Sequence, residues 1–238
     1  MKKFFLLILV VVNINCFAQT NNWFISFSCA PSIGGPAASL KSQMKDQGYG
    51  DEEINSFDIF GSGDVQYPKG GAVALLATGG KKISDHKSLY FVAGLAGTAT
   101  IDGFKSKGYS DGFFGLFAGS YGEHVSVKYN LYQLTAGCMY SFSNSRTQIG
   151  FGPSLYVFNY SVSDGYLLGK THNSIVPGAA MNTRIPLGKQ RKLVGLEFVT
   201  NVNIAPPVKM QSDGAKGFQP KNASMVSLNI GLALSFRN

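Results

Sequence analysis

Two pairs of side chains could do chemistry, and each needs a particular scaffold to bring it together. Arg184 and Glu197 lie on either side of Gln190-Arg191. A tight turn there would set them opposite each other on neighbouring strands. Opposite charges facing an enclosed interior can plug or gate a passage. The plainer reading, preferred here, is a structural ion pair that balances a polar interior, because desolvation offsets the Coulomb attraction. His124 and Ser126 are spaced i, i+2, which puts both on one face of a strand. A histidine base beside a serine nucleophile would suit a lipid hydrolase, given an acid to orient the base. Glu123 is adjacent in sequence and on a regular strand turns the other way, so the acid is unplaced. The plainer reading is a polar pair at a strand end.

Three other patterns carry less. Gly165 to Thr171 is one residue short of a phosphate-binding loop and joins two strands, where that motif needs a helix. His86, His124 and His172 are isolated, so no metal site is expected. Asp51, Glu52 and Glu53 read as solvated turn charges. No cofactor is expected either.

The scaffold is written in period two. Val226, Leu228, Ile230, Leu232, Leu234 and Phe236 alternate with Ser227, Asn229, Gly231, Ala233 and Ser235. Val194, Leu196, Phe198, Val202 and Ile204 alternate with Gly195, Glu197, Asn201 and Asn203. Ile175, Ala179, Met181, Ile185 and Leu187 alternate with Ser174, Gly178, Asn182 and Arg184. Noisier strands follow at Thr147–Val162 (Ile149, Phe151, Leu155 and Val157 on one face), Leu89–Ile101 (Leu89, Phe91, Leu95 and Ile101) and Gly71–Thr78. The first strand carries Trp23, Ile25, Phe27 and Cys29. Within Val125–Phe142 the phase switches from Val127, Tyr129 and Leu131 to Leu134, Ala136, Cys138, Tyr140 and Phe142. A β-bulge at Leu131-Tyr132 would keep all of them outward.

Eight strands result. Connections after odd strands (Pro31–Gln66, Asp102–Glu123, Ser163–Thr171, Ala205–Asn222) are longer as a group than those after even strands (Gly79–Lys87, Ser143–Ser145, Gly188–Lys192). Long loops at one end and short turns at the other mark a membrane barrel. Gly35-Pro36 and the spacing of Leu40 and Met44 predict a short helix over Ala37–Gln47 in the first loop. The faces opposite the apolar ones carry Lys128, Asn130, Asn182, Arg184, Glu197, Asn201, Asn203, Ser227 and Asn229. Each would cost about 1–3 kcal/mol if buried without partners, but they can satisfy one another in a polar lumen while the apolar faces meet lipid. Trp23, Tyr90, Tyr140, Phe142 and Phe236 would form an interfacial girdle.

Composition and the N-terminus agree with export. Lys2 and Lys3, the apolar run Phe4–Val12 and Cys16-Phe17-Ala18 read as a signal peptide over 1–18, cleaved after Ala18, leaving a single barrel domain over 19–238. The apolar run is too short for a bilayer-spanning helix. The leader removes two of 21 basic residues and no acids, so 19 face 13 acidic, a net +6. These lysines form no block, so nucleic acid is not an expected partner. Cys29 and Cys138 fall on non-adjacent strands and should remain unpaired, packed as small apolar side chains.

Taken with the leader and the terminal strand Leu232-Ala233-Leu234-Ser235-Phe236, the chain resembles the small outer-membrane β-barrel families of Gram-negative bacteria, especially the porin-like barrels of Bacteroidota. The resemblance implies an all-β fold: an antiparallel up-and-down transmembrane barrel of eight strands with a short helix in the first extracellular loop. It implies the outer membrane as location. The partners it implies are outer-membrane lipids, lipopolysaccharide and the barrel assembly machinery, which reads the C-terminal strand. Here Arg237 and Asn238 follow the final aromatic. The expected role is non-enzymatic, structural or surface-interacting, without an open pore. Alternatives are a lipid-modifying hydrolase, a transporter of small apolar ligands, and a soluble secreted barrel.

Overall fold

Alternating apolar and polar residues fold as strands when one face has somewhere apolar to go, and here they close into a ring. The computed structural model describes residues 23–50, 70–110, 119–142, 147–164, 169–188, 194–211 and 217–237. The leader over 1–18, Asp51-Glu52-Glu53, Gln190-Arg191 and most of Gly165–Thr171 lie outside the described residues. The elements are β1 (Trp23–Gly34), α1 (Gly35–Asp46), β2 (Ala72–Lys82), β3 (Lys87–Ser110), β4 (Gly119–Ser141), β5 (Gln148–Ser163), β6 (Thr171–Leu187) and β7 (Val194–Ile204). After them come the two-residue strands β8 (Val208–Lys209) and β9 (Asn222–Ala223), and finally β10 (Ser227–Arg237). Strands β1 to β7 run in sequence order around the barrel, and β10 closes it between β7 and β1. All neighbours are antiparallel.

The ring is sheared. Stepping through directly paired residues from Ile185 on β6 leads to Phe198, Leu232, Cys29, Leu75, Leu95, Tyr132 and Val157. The path returns to β6 at Ile175, a stagger of 185 − 175 = 10 residues. Such a stagger accompanies a strand tilt of roughly 35–45°. Every residue on this spiral faces outward, and every one is apolar or a tyrosine.

The exterior is a band of bare hydrocarbon. Leu232, Leu234, Phe236, Leu196, Ile175, Phe151, Leu134 and Phe27 are each more than two-fifths exposed. Between them, Ser227, Asn229, Ser235, Glu197, Asn201, Asn203, Asn182 and Arg184 point inward and are buried. On β5 the outward residues from Ile149 to Val157 are all apolar. Those nine positions span about 22 Å at ~3.3 Å per residue and ~40° tilt, close to the ~25 Å apolar band of a membrane barrel. An apolar surface of this extent is one that lipid has to cover. Among the described residues no helix is long and apolar enough to cross a membrane; the strands cross instead. Leu232 sits mid-band and Asn159 above it. We therefore expect Leu232→Arg to lower stability in lipid vesicles by about 2–4 kcal/mol and Asn159→Arg by about 1 or less. Urea titration followed by the fluorescence of the single tryptophan measures both, and equal costs would remove the band.

Five expectations are corrected. On β4 the alternation runs unbroken, so Val127, Tyr129 and Leu131 are buried inside while Lys128 and Asn130 are exposed outside. The extra residue is on β3, where Leu95 and Gly97 pair with consecutive residues Tyr132 and Leu131. Gly94 beside it has φ 147°, and a Cβ there would lie 2.3 Å from the Leu75 carbonyl oxygen. Beyond that bulge the parity of β3 shifts, so Ile101 is fully buried inside instead of outward. Tyr90 also points inward, because its neighbours Leu89 and Phe91 take the lipid side. Finally, Asp102–Glu123 is not all loop: β3 and β4 stay paired as far as Ser110 and Gly119. Cys29 and Cys138 are unpaired, but they lie exposed on the outer face. The helix covers Gly35–Asp46, with Gln47 as its C-terminal cap, close to the range predicted.

Candidate functional site

The barrel wall is not level. β7, β10, β1 and β2 end near Ile204, Ser227, Gly34 and Ala72, while β3 to β6 continue further. On these four taller strands the chemistry of the two faces exchanges. Leu95, Tyr132, Val157 and Ile175 form the last outward apolar row, each paired with the next. The next outward row is Thr98, Asn130, Asn159 and Asn173, and the one after it Thr100, Lys128, Ser161 and Thr171. Over the same stretch the inward residues become apolar: Ile101, Val125, Val127, Tyr129, Leu131, Phe158, Tyr160 and Val162 are buried. Apolar-out below the row and apolar-in above it means the strands leave lipid there and enter water. Above the row they behave as a sheet that needs its own core.

That core is completed by α1 and by residues 205–211 and 217–226. Pro36 in the first helical turn presets the backbone. Leu40 and Met44, one turn apart, are fully buried against the wall, as is Phe218 from the later segment. Val208, Met210, Ala223 and Met225 join them. A second stripe on α1, Ser39, Gln43 and Gln47, binds the extended chain of the later segment. Gln43 Nε2 donates to the Asn222 carbonyl at 2.7 Å, and the Lys221 amide donates to Gln43 Oε1 at 2.7 Å. Gln47 Nε2 donates to the Gln219 carbonyl at 3.0 Å, and the Gln219 amide to Gln47 Oε1 at 2.9 Å. Ser39 Oγ donates to Asn222 O at 3.0 Å. Side-chain amides here substitute for a neighbouring strand, each bond contributing about 0.5–1.5 kcal/mol net.

Further contacts tie the unit to the wall. The Gln211 amide donates to the Tyr160 hydroxyl at 2.8 Å. Gly50 and Phe104 exchange backbone hydrogen bonds of 2.7 and 2.9 Å. Tyr49 packs edge-on against Phe218, with Lys105 Nζ 5.6 Å from its ring centroid. Its hydroxyl donates to Glu123 Oε2 at 3.2 Å. Burial first, then the Glu123 charge, push the Tyr49 phenol up to about 12, so it keeps its donor proton at neutral pH.

Below the exchange row the lumen is mixed: Phe24, Leu76, Tyr90, Val92 and Met139 form a buried apolar cluster, and polar side chains bond across the rest. Asn201 Nδ2 donates to Gln133 Oε1 at 2.9 Å, and Asn203 Nδ2 to Ser227 Oγ at 3.1 Å. Gln133 Nε2 donates to Thr135 Oγ1 at 2.8 Å, and Thr135 and Ser154 share a hydroxyl bond of 2.6 Å. The chain of bonds crosses from β4 and β5 to β7 and β10. Nearer the turns, Arg184 and Glu197 meet. They are offset along β6 and β7, since Arg184 pairs with Val199 and Glu197 with Pro186. Arg184 Nε donates to Glu197 Oε2 at 2.8 Å, a second guanidinium nitrogen reaches the same oxygen, and both side chains are buried. The guanidinium carbon sits 4.7 Å from the Phe24 ring centroid. A Cβ at Gly80 would lie 2.3 Å from that ring, so glycine makes room for it.

His124 and Ser126 both face outward on β4, above the exchange row. The His124 ring packs on Phe104, centroids 4.7 Å apart. Glu123 turns inward to Tyr49, away from the histidine. His172 stacks on Tyr160, and His86 stacks on Tyr140 at the turn end. Among the described residues no three His, Cys, Asp or Glu side chains gather as metal ligands. The amide stripe of α1 and the apolar core of the mouth were not foreseen from the sequence. Adjacent apolar residues at Leu131-Tyr132, Val157-Phe158 and Ile175-Val176 were the available sign of the second.

No family model matches the chain, and no curated protein does. Among solved structures, Ail, the attachment invasion locus protein of Yersinia pestis, is similar at 8% identity over 92% of this chain and 99% of its own, with a TM-score of 0.40. Neisserial surface protein A is similar at 12% identity over 91% and 97%, with a TM-score of 0.41. The outer membrane protein AlkL is similar at 16% identity over 92% of each chain, with a TM-score of 0.42. The apolar band and the closed ring of this chain are by themselves those of an outer-membrane barrel.

Proposed function

We propose that the protein is a non-enzymatic, non-conducting barrel of the outer membrane whose working part is the unit standing above the bilayer. It contacts surface ligands or neighbouring envelope components through that unit. The observation that carries this reading is the exchange of faces at the row Leu95, Tyr132, Val157 and Ile175. Above it the mouth is filled by Leu40, Met44 and Phe218; below it the lumen is crossed by side-chain hydrogen bonds. An eight-stranded barrel has an interior only wide enough for its own side chains. The leader over 1–18 would deliver the chain to the periplasm, and N-terminal sequencing of membrane fractions should begin at Gln19. The terminal strand to Phe236 supports kinship with the porin-like Bacteroidota barrels.

The test is the purified chain in planar bilayers, alongside migration on a gel before and after boiling. We expect a heat-dependent shift and conductance at the level of protein-free membranes. Steady ion currents would overturn the closed reading, and recovery from the periplasm without detergent would overturn the membrane reading. A hydrolase would need His124 and Ser126 to act without the inward-turned Glu123, and a carrier of apolar ligands would need the mouth core to vacate. Lipid hydrolysis abolished by His124→Ala, or uptake of an alkane by vesicles, would restore either.

A further inference from the structure

The strap of residues 217–223 lies across the mouth as a bound peptide would. It runs extended, with Phe218, Pro220 and Ala223 buried and Gln219, Lys221 and Asn222 exposed. On one edge α1 holds it. The five bonds from Ser39, Gln43 and Gln47 all end on main-chain atoms, two on Gln219, one on Lys221 and two on Asn222. On the other edge Lys209 of β8 lies opposite Asn222, and the Met210 amide donates to the Lys221 carbonyl at 2.8 Å.

The fit is a match of periods. Residues four apart on a helix are about 6.0 Å apart along its axis, and residues two apart on an extended chain about 6.6 Å. Gln47 and Gln43 therefore meet Gln219 and Lys221 in step, with the two chains antiparallel. Gln43 Nε2 also donates to Ser39 Oγ at 3.1 Å, which orders the stripe. Such a ladder accepts any exposed side chain and selects only at the buried positions. Phe218 is fully buried, edge-on to Tyr49. Before it only glycine fits, since a Cβ at Gly217 would lie 2.2 Å from Glu123 Oε2.

We infer that the groove between α1 and β8 is a peptide-binding site that the strap closes in the free protein. Its partner is an extended segment of another protein in which glycine precedes an aromatic residue. This names a partner class for the mouth unit and rests on the reading of that unit as the working part. Main-chain bonds for affinity and pockets for alternate side chains are how added strands are recognised. The strap can exchange because its five bonds to α1 are exposed, so water replaces each of them on release. A cleft of about 300 Å³ lined by Gln43, Asp46, Gln47, Gly217, Gln219 and Lys221 opens beside them.

The probe is the labelled peptide Gly-Phe-Gln-Pro-Lys-Asn-Ala, the sequence of residues 217–223. It is added to the full chain in neutral detergent micelles and read by fluorescence anisotropy. In the wild type the strap competes from within, so apparent affinity falls with the fraction of open groove, and Phe218→Ala should tighten binding about tenfold or more. Adding Gln43→Leu and Gln47→Leu to that variant should abolish it. A peptide with serine in place of its glutamine, lysine and asparagine should bind alike, and one with alanine in place of its phenylalanine should not bind. Phe218→Leu should act in the same direction and serves if the alanine variant loses the heat-dependent gel shift. No binding to the opened protein, binding that survives loss of both glutamines, or dependence on the exposed peptide side chains overturns the inference. A wild-type dimer that the peptide dissolves would assign the groove to the strap of a second copy and overturn the foreign partner. If the gel shift and the absence of conductance hold while the peptide fails, this inference alone falls; steady currents through the wild type would remove the closed-mouth reading with it.

Discussion

Replacing Glu197 with leucine should destabilise the barrel by about 3–5 kcal/mol, and adding Arg184→Met should recover most of that loss. The two side chains are almost wholly buried and bonded to each other. Removing only the carboxylate takes from a buried guanidinium the oxygen that two of its nitrogens reach, while Phe24 still presents its ring face at 4.7 Å. Removing both charges leaves a lumen of similar volume without an uncompensated ion. Urea titrations in vesicles measure the three proteins, and Glu197→Gln serves if the leucine variant does not fold. Additive losses in the double variant would mean the two residues act independently and would end the ion-pair account.

Truncating Leu40 to alanine should loosen the mouth by about 2–5 kcal/mol, the range for a leucine removed from a packed core. Leu40 is fully buried between α1 and the wall. The barrel below has its own polar network and closed hydrogen-bond ladder, so the loss should stay local. Trypsin should then cut at Lys41, Lys45, Lys209 and Lys221 while the gel shift on boiling remains. Loss of the shift together with the new cuts would show one cooperative unit instead of two.

The sequence carried the ring of strands well where one solvent applies along the whole strand. On β7 and β10 lipid lies on one side and the polar lumen on the other, and simple alternation placed Glu197, Asn201, Asn203 and Asn229 correctly. It misled on β4, where the strand passes from lipid into water. Val127, Tyr129 and Leu131 are apolar for a different reason from Leu134 and Tyr140: the first three pack under a helix, the last two meet acyl chains. Period two cannot distinguish these environments, so the change of solvent looked like an inserted residue. The real insertion, at Ala96, was hidden because Ala93, Ala96 and Ala99 differ little from one another. Arg184 and Glu197 could be placed on facing strands because both lie in cleanly alternating segments. The amide stripe of α1 was illegible, because glutamines on a helix normally read as solvated and their partners lie some 170–180 residues away.

The positions of Cys29 and Cys138 set a clock on biogenesis. Both thiols end up on the outer surface, on β1 and β4: three strand spacings separate them sideways, about 14 Å, and Cys138 lies 138 − 132 = 6 residues along β4 from Tyr132, the residue in register with Cys29, roughly 20 Å further along the strand. A disulfide needs Cα atoms within about 7 Å. Delivered unfolded to an oxidising compartment, the chain could join them before the strands between them align, and such a cross-link would hold β1 and β4 together where β2 and β3 must lie. Insertion therefore has to outpace oxidation; once it has, hydrocarbon surrounds both sulfurs and withholds the water that thiolate chemistry requires.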